Sequence, residues 1–146
     1  MKEIYSKTDP DTLLHIVYRM KDIIDQESFR KDVIPADNFL QLAALKLDKL
    51  QTFKAHKHIW KDGEEKVIAQ ESWVVIKGRV QASLYDLDGK EVLYRPILHP
   101  GDCTITLGGG HNYVSLDENT LVYEYKTGPY KGIDNDKVFI EDAPEK

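Results

Sequence analysis

The chain has one cysteine, two methionines and two tryptophans among its 146 residues. Cys103 alone closes no disulfide within the chain and supplies no cysteine pair for a zinc finger. Burial must therefore hold the fold, and a domain of this length hides roughly two-thirds of the surface its unfolded chain exposes. Positive charge is in deficit as well: Lys and Arg number 20 against 25 Asp and Glu, for a net charge of −5. That removes any global attraction to nucleic acid or to anionic lipid. No window approaches the roughly 18 to 20 apolar residues of a membrane-spanning helix, and Met1 to Lys7 is polar with no signal-like apolar stretch behind it. The expectation is a cytoplasmic protein with no membrane or nucleic-acid partner. Internal repeats, low-complexity tracts and Gly-x-Ser-x-Gly elbows are lacking too. Gly108-Gly109-Gly110 is no phosphate loop, since neither a Lys-Ser/Thr pair nor a helical pattern follows it.

What is present reads as strand. From Phe39 onward, runs rich in Val, Ile, Tyr and Thr alternate with breaks of Gly, Asp, Asn and Pro. The expected strands are Phe39 to Lys49, Thr52 to Ile59, Ser72 to Ile76, Arg79 to Asp86, Glu91 to Leu98, Thr104 to Leu107, Asn112 to Leu116 and Leu121 to Lys126. Asp88-Gly89 marks a hairpin, because tight hairpin turns need positive φ. So many short strands imply an all-β sandwich or barrel. Residues 1–38 form an extension in which two periods compete. Leu13, Val17, Met20 and Ile24 share a helical face behind Asp9-Pro10-Asp11-Thr12, whereas Leu14, Ile16, Tyr18 and Met20 alternate as in a strand, which the Ile, Val and Tyr content favours. The barrel is expected over residues 39–140, and residues 141–146 form a charged tail.

The candidate chemistry begins at Thr52-Phe53-Lys54-Ala55-His56-Lys57-His58. Alternation puts His56 and His58 on one face, about 6.5 to 7 Å apart at Cα, and Lys54 with them. Both imidazoles can reach one ion, and neutral imidazole suits zinc, iron, nickel or copper. A bare His-x-His also fits two exposed polar residues on an edge strand. Two further segments bear on the choice: Glu71 to Gly78, a carboxylate followed by an apolar strand and a glycine turn, and Pro100-Gly101-Asp102 leading to Gly108-Gly109-Gly110-His111. The glycines let the chain turn tightly before His111.

Together these segments resemble the two signature motifs of the cupin superfamily. The resemblance implies a small β-barrel (a double-stranded β-helix, jelly-roll-like) holding one divalent transition metal (Zn, Fe, Ni or Mn) on His56, His58, Glu71 and His111. The sequence departs from the family pattern in three places. Twelve residues, Ile59 to Gln70, separate His58 from Glu71 and include Glu64 and Glu65, either of which could serve as the carboxylate ligand instead. Leu107 stands where the second motif often has Pro, with His111 one residue nearer to Gly109 than the usual spacing, and no Asn follows His111 at the usual distance. Farther on, Glu124-Tyr125-Lys126-Thr127-Gly128-Pro129-Tyr130 resembles the WbuC-type cupin metalloproteins associated with bacterial surface-polysaccharide clusters.

The resemblance implies a metal-binding protein that binds or acts on a small polar ligand such as a sugar or sugar nucleotide, as an isomerase, epimerase or oxygenase if it is an enzyme. Two other functions fit the same residues. One is a metal-free sugar-nucleotide isomerase or epimerase pairing His56 or His111 with Tyr113, which shares a face with His111 and is the expected catalytic tyrosine. The other is a non-catalytic sensor of metal or ligand. His15 and His99 are expected outside the site, Cys103 as a small core residue, and Arg79 and Arg95 as solvated strand charge. A homodimer is expected, with the N-terminal extension covering a neighbour's sheet edge.

Overall fold

A computed structural model describes residues 1–61 and 67–140. Glu64, Glu65 and the tail at 141–146 lie outside the described residues. The chain opens with β1 (Lys2–Tyr5) paired to β2 (Leu13–Val17), a short helix α1 (Met20–Ile24) and β3 (Arg30–Asp32). Then come β4 (Leu40–Leu47), β5 (His56–His58), β6 (Trp60–Lys61), β7 (Val67–Ile68), β8 (Glu71–Lys77) and β9 (Val80–Tyr85). The remaining strands are β10 (Val92–Tyr94), β11 (Ile97–Leu98), β12 (Cys103–Thr106), β13 (Gly110–Ser115), β14 (Thr120–Thr127) and β15 (Lys137–Phe139).

Two antiparallel sheets carry the fold. One runs β12-β8-β14-β4-β3, and the other runs β10-β9-β13-β5-β15 with β11 also on β9. Successive strands fall in opposite sheets at β4 to β5, β8 to β9, β12 to β13 and β13 to β14, so the chain winds around a shared interior. That is a double-stranded β-helix, and the all-β barrel expected from the strand pattern is the observed fold.

The strand interiors follow the alternation of a half-buried sheet. On β8, Glu71, Trp73 and Val75 are buried, while the residues between them are only half-buried. Leu45 and Leu47 of β4, Val75 of β8 and Val122 of β14 meet Val80, Ala82 and Leu98 from the opposite sheet in one apolar cluster. Farther along the same inward faces the character changes to Glu71, Glu124 and Lys126, all buried. The barrel thus has an apolar end, which stabilises it, and a polar end.

Local differences from the sequence reading have identifiable causes. The run Glu91 to Leu98 breaks into β10 and β11 around Arg95-Pro96, as expected where Pro removes a ladder donor. β5 covers only His56–His58, and Thr52 makes an isolated bridge to Val114. The N-terminal segment takes both forms in turn, strand at Leu13–Val17 and helix at Met20–Ile24. Cys103 is not a core residue. β12 turns Thr104 and Thr106 inward and leaves Cys103 and Ile105 exposed on the edge of the sheet. Among the described residues, no helix is long and apolar enough to cross a membrane.

Candidate metal centre

Register brings the four motif residues to one place. On β5 the buried-half-buried-buried pattern turns His56 and His58 inward, and β13 pairs His111 directly with His56. Glu71 enters from β8 in the facing sheet. Gly109 makes the approach to His111 feasible: its φ is +76°, and a Cβ there would sit 2.6 Å from the Tyr85 carbonyl oxygen. No other residue type fits that turn without displacing β9. The glycine-rich turn expected from the sequence therefore has a specific steric reason.

One ligand atom from each of His56, His58, Glu71 and His111 lies within 4.8 Å of all the others, and all four residues are buried. His111 Nε2 is 3.2 Å from His56 Nε2 and 3.1 Å from Glu71 Oε1, and His58 Nε2 is 3.1 Å from Glu71 Oε2. Donors bonded at about 2.1 Å to one ion stand at most about 4.2 Å apart, so small side-chain shifts bring the set to bonding distance.

The outward nitrogens fix how the rings are presented. His56 donates Nδ1–H to the Lys54 carbonyl at 3.0 Å. His58 Nδ1 lies 3.2 Å from the Asp136 carbonyl and 3.1 Å from Asp136 Oδ2, and His111 Nδ1 is 3.1 Å from Thr106 Oγ1. Each ring thus has an acceptor behind it and turns Nε2 toward the cluster. That is the arrangement by which outer partners orient imidazole ligands. Trp73 Nε1 donates to Glu71 Oε1 at 3.0 Å and orients the carboxylate in the same way. A buried set of three imidazoles and one carboxylate matches the donor preferences of zinc, iron, nickel or manganese, so the residues fit the ion that the sequence implied.

Electrostatics within the cluster separate its members. Burial, helped by the nearby charge of His111 and Lys137, pushes the His56 imidazole down to about 3. Burial would lower His58 too, but its bonds to Asp136 and Glu71 outweigh that and raise it. Glu71, fully buried, is held well below the usual carboxylate range because His111 and His58 outweigh the cost of desolvation.

Tyr113 reaches the neighbourhood of His111, with ring centroids 5.3 Å apart, but inside the core. Its ring stacks on Trp73 at 4.0 Å, its hydroxyl is 2.8 Å from Thr104 Oγ1, and burial raises its pKa. Lys54 shares the segment but is exposed, with its ammonium over the Phe139 ring at 4.7 Å. His15 and His99 are exposed and away from the cluster, and Arg79 is paired with Asp117 at 2.7 Å.

Three residues beside the cluster escaped the sequence reading. Asp136, fully buried, joins His58 to Lys126, whose Nζ lies 3.0 Å from Asp136 Oδ2. Lys137, the first residue of β15, places Nζ 3.0 Å from His56 Nε2 and lines a cavity of about 250 Å³. Arg30 of β3 lines the same cavity, pairing with Glu124 and with Asp32 at 2.9 Å each. Tyr130 lies on the cavity wall too, its ring 4.6 Å from Lys126 Nζ. The segment from Glu124 to Tyr130 thus contributes a wall of the cavity and not merely a strand and turn.

No protein-family model matches the chain, and no curated protein matches it in sequence. Solved structures do match in shape. KdgF from Halomonas sp. is 21% identical with a TM-score of 0.53, over 70% of this chain and 78% of that one. A protein with a double-stranded β-helix domain from Klebsiella pneumoniae is 14% identical with a TM-score of 0.61, over 88% of this chain and 100% of that one. The capsular polysaccharide assembling protein CapF from Staphylococcus aureus is 15% identical with a TM-score of 0.62, over 77% of this chain but 31% of that longer one. With the winding of the two sheets, these likenesses establish the chain's architecture as the double-stranded β-helix of the cupin type.

Proposed function

We propose that this protein is a metal-binding cupin that takes a small polar ligand, such as a sugar or sugar derivative, beside a single transition-metal ion on His56, His58, Glu71 and His111. The observation that carries the reading is the convergence of three Nε2 atoms and one carboxylate inside the barrel, with every outward imidazole nitrogen held by a separate acceptor. The bound ion would supply Lewis-acid polarisation of a ligand oxygen or of water. The protein contributes the orientation of the donors, the exclusion of bulk water by burial and, through Asp136, a fixed His58. A role in surface-polysaccharide metabolism draws support from the Glu124-to-Tyr130 segment and from a likeness in shape to a protein titled as assembling capsular polysaccharide. In the same reading the protein is a cytoplasmic homodimer, and light scattering should return twice the chain mass of 16.8 kDa.

The test is elemental analysis of the purified and the reconstituted protein. About one ion per chain is expected, falling severely in His56→Ala, His58→Ala or His111→Ala and unchanged in His15→Ala and His99→Ala. A His56→Ala protein that held metal as tightly as the parent would refute the site. The metal-free alternative needs Tyr113 as a proton carrier, and the burial of its hydroxyl against Thr104 favours the metal reading instead.

A further inference from the structure

The five-stranded sheet ends in two unlike edges. β3, at one end, is Arg30-Lys31-Asp32, charged at every position. β12, at the other, is Cys103-Thr104-Ile105-Thr106, and among the described residues no strand pairs with its far side. In a chain of which 31% is charged, no Asp, Glu, Lys or Arg occurs from Cys103 to Leu116. The carboxylate just before it, Asp102, is bound into the preceding turn, where its Oδ2 accepts from the His99 amide at 2.8 Å. Sheet edges that face solvent are ordinarily blunted by charge or proline, since a bare row of amides and carbonyls recruits another strand. β12 has neither. Its outward side chains are apolar: Ile105 is 67% exposed, and Leu107, just beyond the strand, is 64% exposed.

We propose that β12 pairs antiparallel with β12 of a second copy, joining the two five-stranded sheets across a two-fold axis. This deepens the homodimer reading and rests on it. The N-terminal extension is engaged within its own chain: β3 lies on β4, and Ile16, Tyr18, Ile23 and Val33 pack around Ala44 and Leu121 on the outer face of the sheet. A second copy suits the free edge for two reasons. Chains of net charge −5 repel each other, so two of them meet most readily where neither presents charge. Strand alternation, moreover, restricts the register. Thr104 and Thr106 point inward and Cys103 and Ile105 outward. A continuous sheet keeps each set on its own face, so the two-fold passes through a residue and not between two. Centred on Ile105, it sets Ile105 against the partner's Ile105, Cys103 against the partner's Leu107 and Thr104 against the partner's Thr106, apolar on apolar and threonine on threonine. One strand this short falls below the roughly 1,200 to 2,000 Å² that a stable interface buries. The facing sheet supplies more. Four residues join β11 to β12, so its edge lies on the same side of the barrel, with Leu93, Tyr94 and Ile97 exposed there.

The test is the mass of the protein in solution, followed by light scattering across the micromolar range. Wild type should return twice the chain mass of 16.8 kDa. Ile105→Lys, Ile105→Glu and Leu107→Lys set like charges at or beside the axis, and each should raise the dimer Kd about a hundredfold. Leu14→Lys, on the exposed N-terminal hairpin, should leave the dimer intact. An equimolar mixture of Ile105→Lys and Ile105→Glu should recover the dimer mass, because lysine then faces glutamate. These outward positions leave Thr104 and Thr106 on their partners Tyr113 and His111, so each variant should keep the circular dichroism of wild type. Should an Ile105 variant lose that signal, Leu107→Lys decides the matter alone. The inference is overturned if the Ile105 and Leu107 variants dimerise as tightly as wild type, if Leu14→Lys alone yields the monomer, or if the mixture of folded Ile105 variants stays monomeric. A monomeric wild type overturns the homodimer reading and this edge with it, whereas a dimer indifferent to Ile105 and Leu107 overturns the edge alone.

Discussion

Asp136 shows how much a single side chain carries. It sits directly behind His58 and also holds the buried Lys126, so Asp136→Asn should weaken metal binding by about 10 to 100-fold while leaving the four ligands intact. Competition against a chelator measures this, and an unchanged affinity would remove Asp136 from the centre. Tyr113 gives the opposite expectation. Tyr113→Phe gives up one bond to Thr104, about 1 kcal/mol of stability, and should retain the metal in full, as urea unfolding and elemental analysis can show. His56 predicts a pH dependence for the metal-free protein. Its imidazole binds a proton near the ordinary value when unfolded but only at about 3 when folded. Between those values the unfolded chain holds more protons, so acid destabilises the fold by up to about 1.4 kcal/mol per pH unit. His58, raised in the folded state, acts in the other direction: its contribution is present below the ordinary histidine value and fades as pH rises through its folded value. His56→Asn should therefore flatten the acid limb of a plot of Tm against pH, and a limb as steep as the parent's would contradict the assignment. At this scale the four candidate ligands were legible, because period-two alternation and motif spacing lie within short segments. Arg30, Asp136 and Lys137 were not, since their partners stand far away in sequence. One signal existed: Glu124 and Lys126 continue the inward face of Val122, and buried charges there require partners from elsewhere.

The strands were readable as elements wherever the pattern was long. β4, β8, β9 and β14 lie within a residue or two of their expected positions. β15, a strand of three residues directly following Ile133-Asp134-Asn135-Asp136, was missed because a strand that short has no periodicity to detect, and its pairing with β5 defines it. The turn before β13 makes a sharp prediction. Gly109→Ala forces a side chain into the left-handed region and against Tyr85, so it should cost about 1 to 3 kcal/mol in urea unfolding. Metal occupancy should fall with it, because His111 follows two residues later. Truncation separates the parts of the N-terminal extension. β1 is exposed along its length, and removing residues 1–11 should leave a folded, metal-binding protein. Removing residues 1–38 uncovers the edge of β4 and deprives Glu124 of Arg30, and the product should be insoluble or should lose the cavity. Solubility on expression and Co(II) uptake would decide both.

For the whole molecule, an ion that binds only the folded barrel adds to its stability by mass action. At free metal a hundredfold above Kd the gain is about 2.7 kcal/mol, or roughly 8 to 12 °C in Tm for a chain of this size. Chelator should reverse that shift in the parent and have no effect on a His56→Ala, His111→Ala double variant, as a thermal melt can establish. The pairing of β5 with both β13 and β15 also orders events during synthesis. His56 leaves the ribosome early, yet its neighbours in the sheet, His111 and Phe139, come 55 and 83 residues later. Arg30 waits still longer for Glu124, across 94 residues. A nascent chain stopped before β13 therefore presents His56 and His58 without His111 and without the β14 and β15 side of the cavity, so the proposed site closes only when translation is nearly finished. Closing such distant pairs is slow, and refolding of the released chain should follow the pace of all-β topologies, milliseconds to seconds.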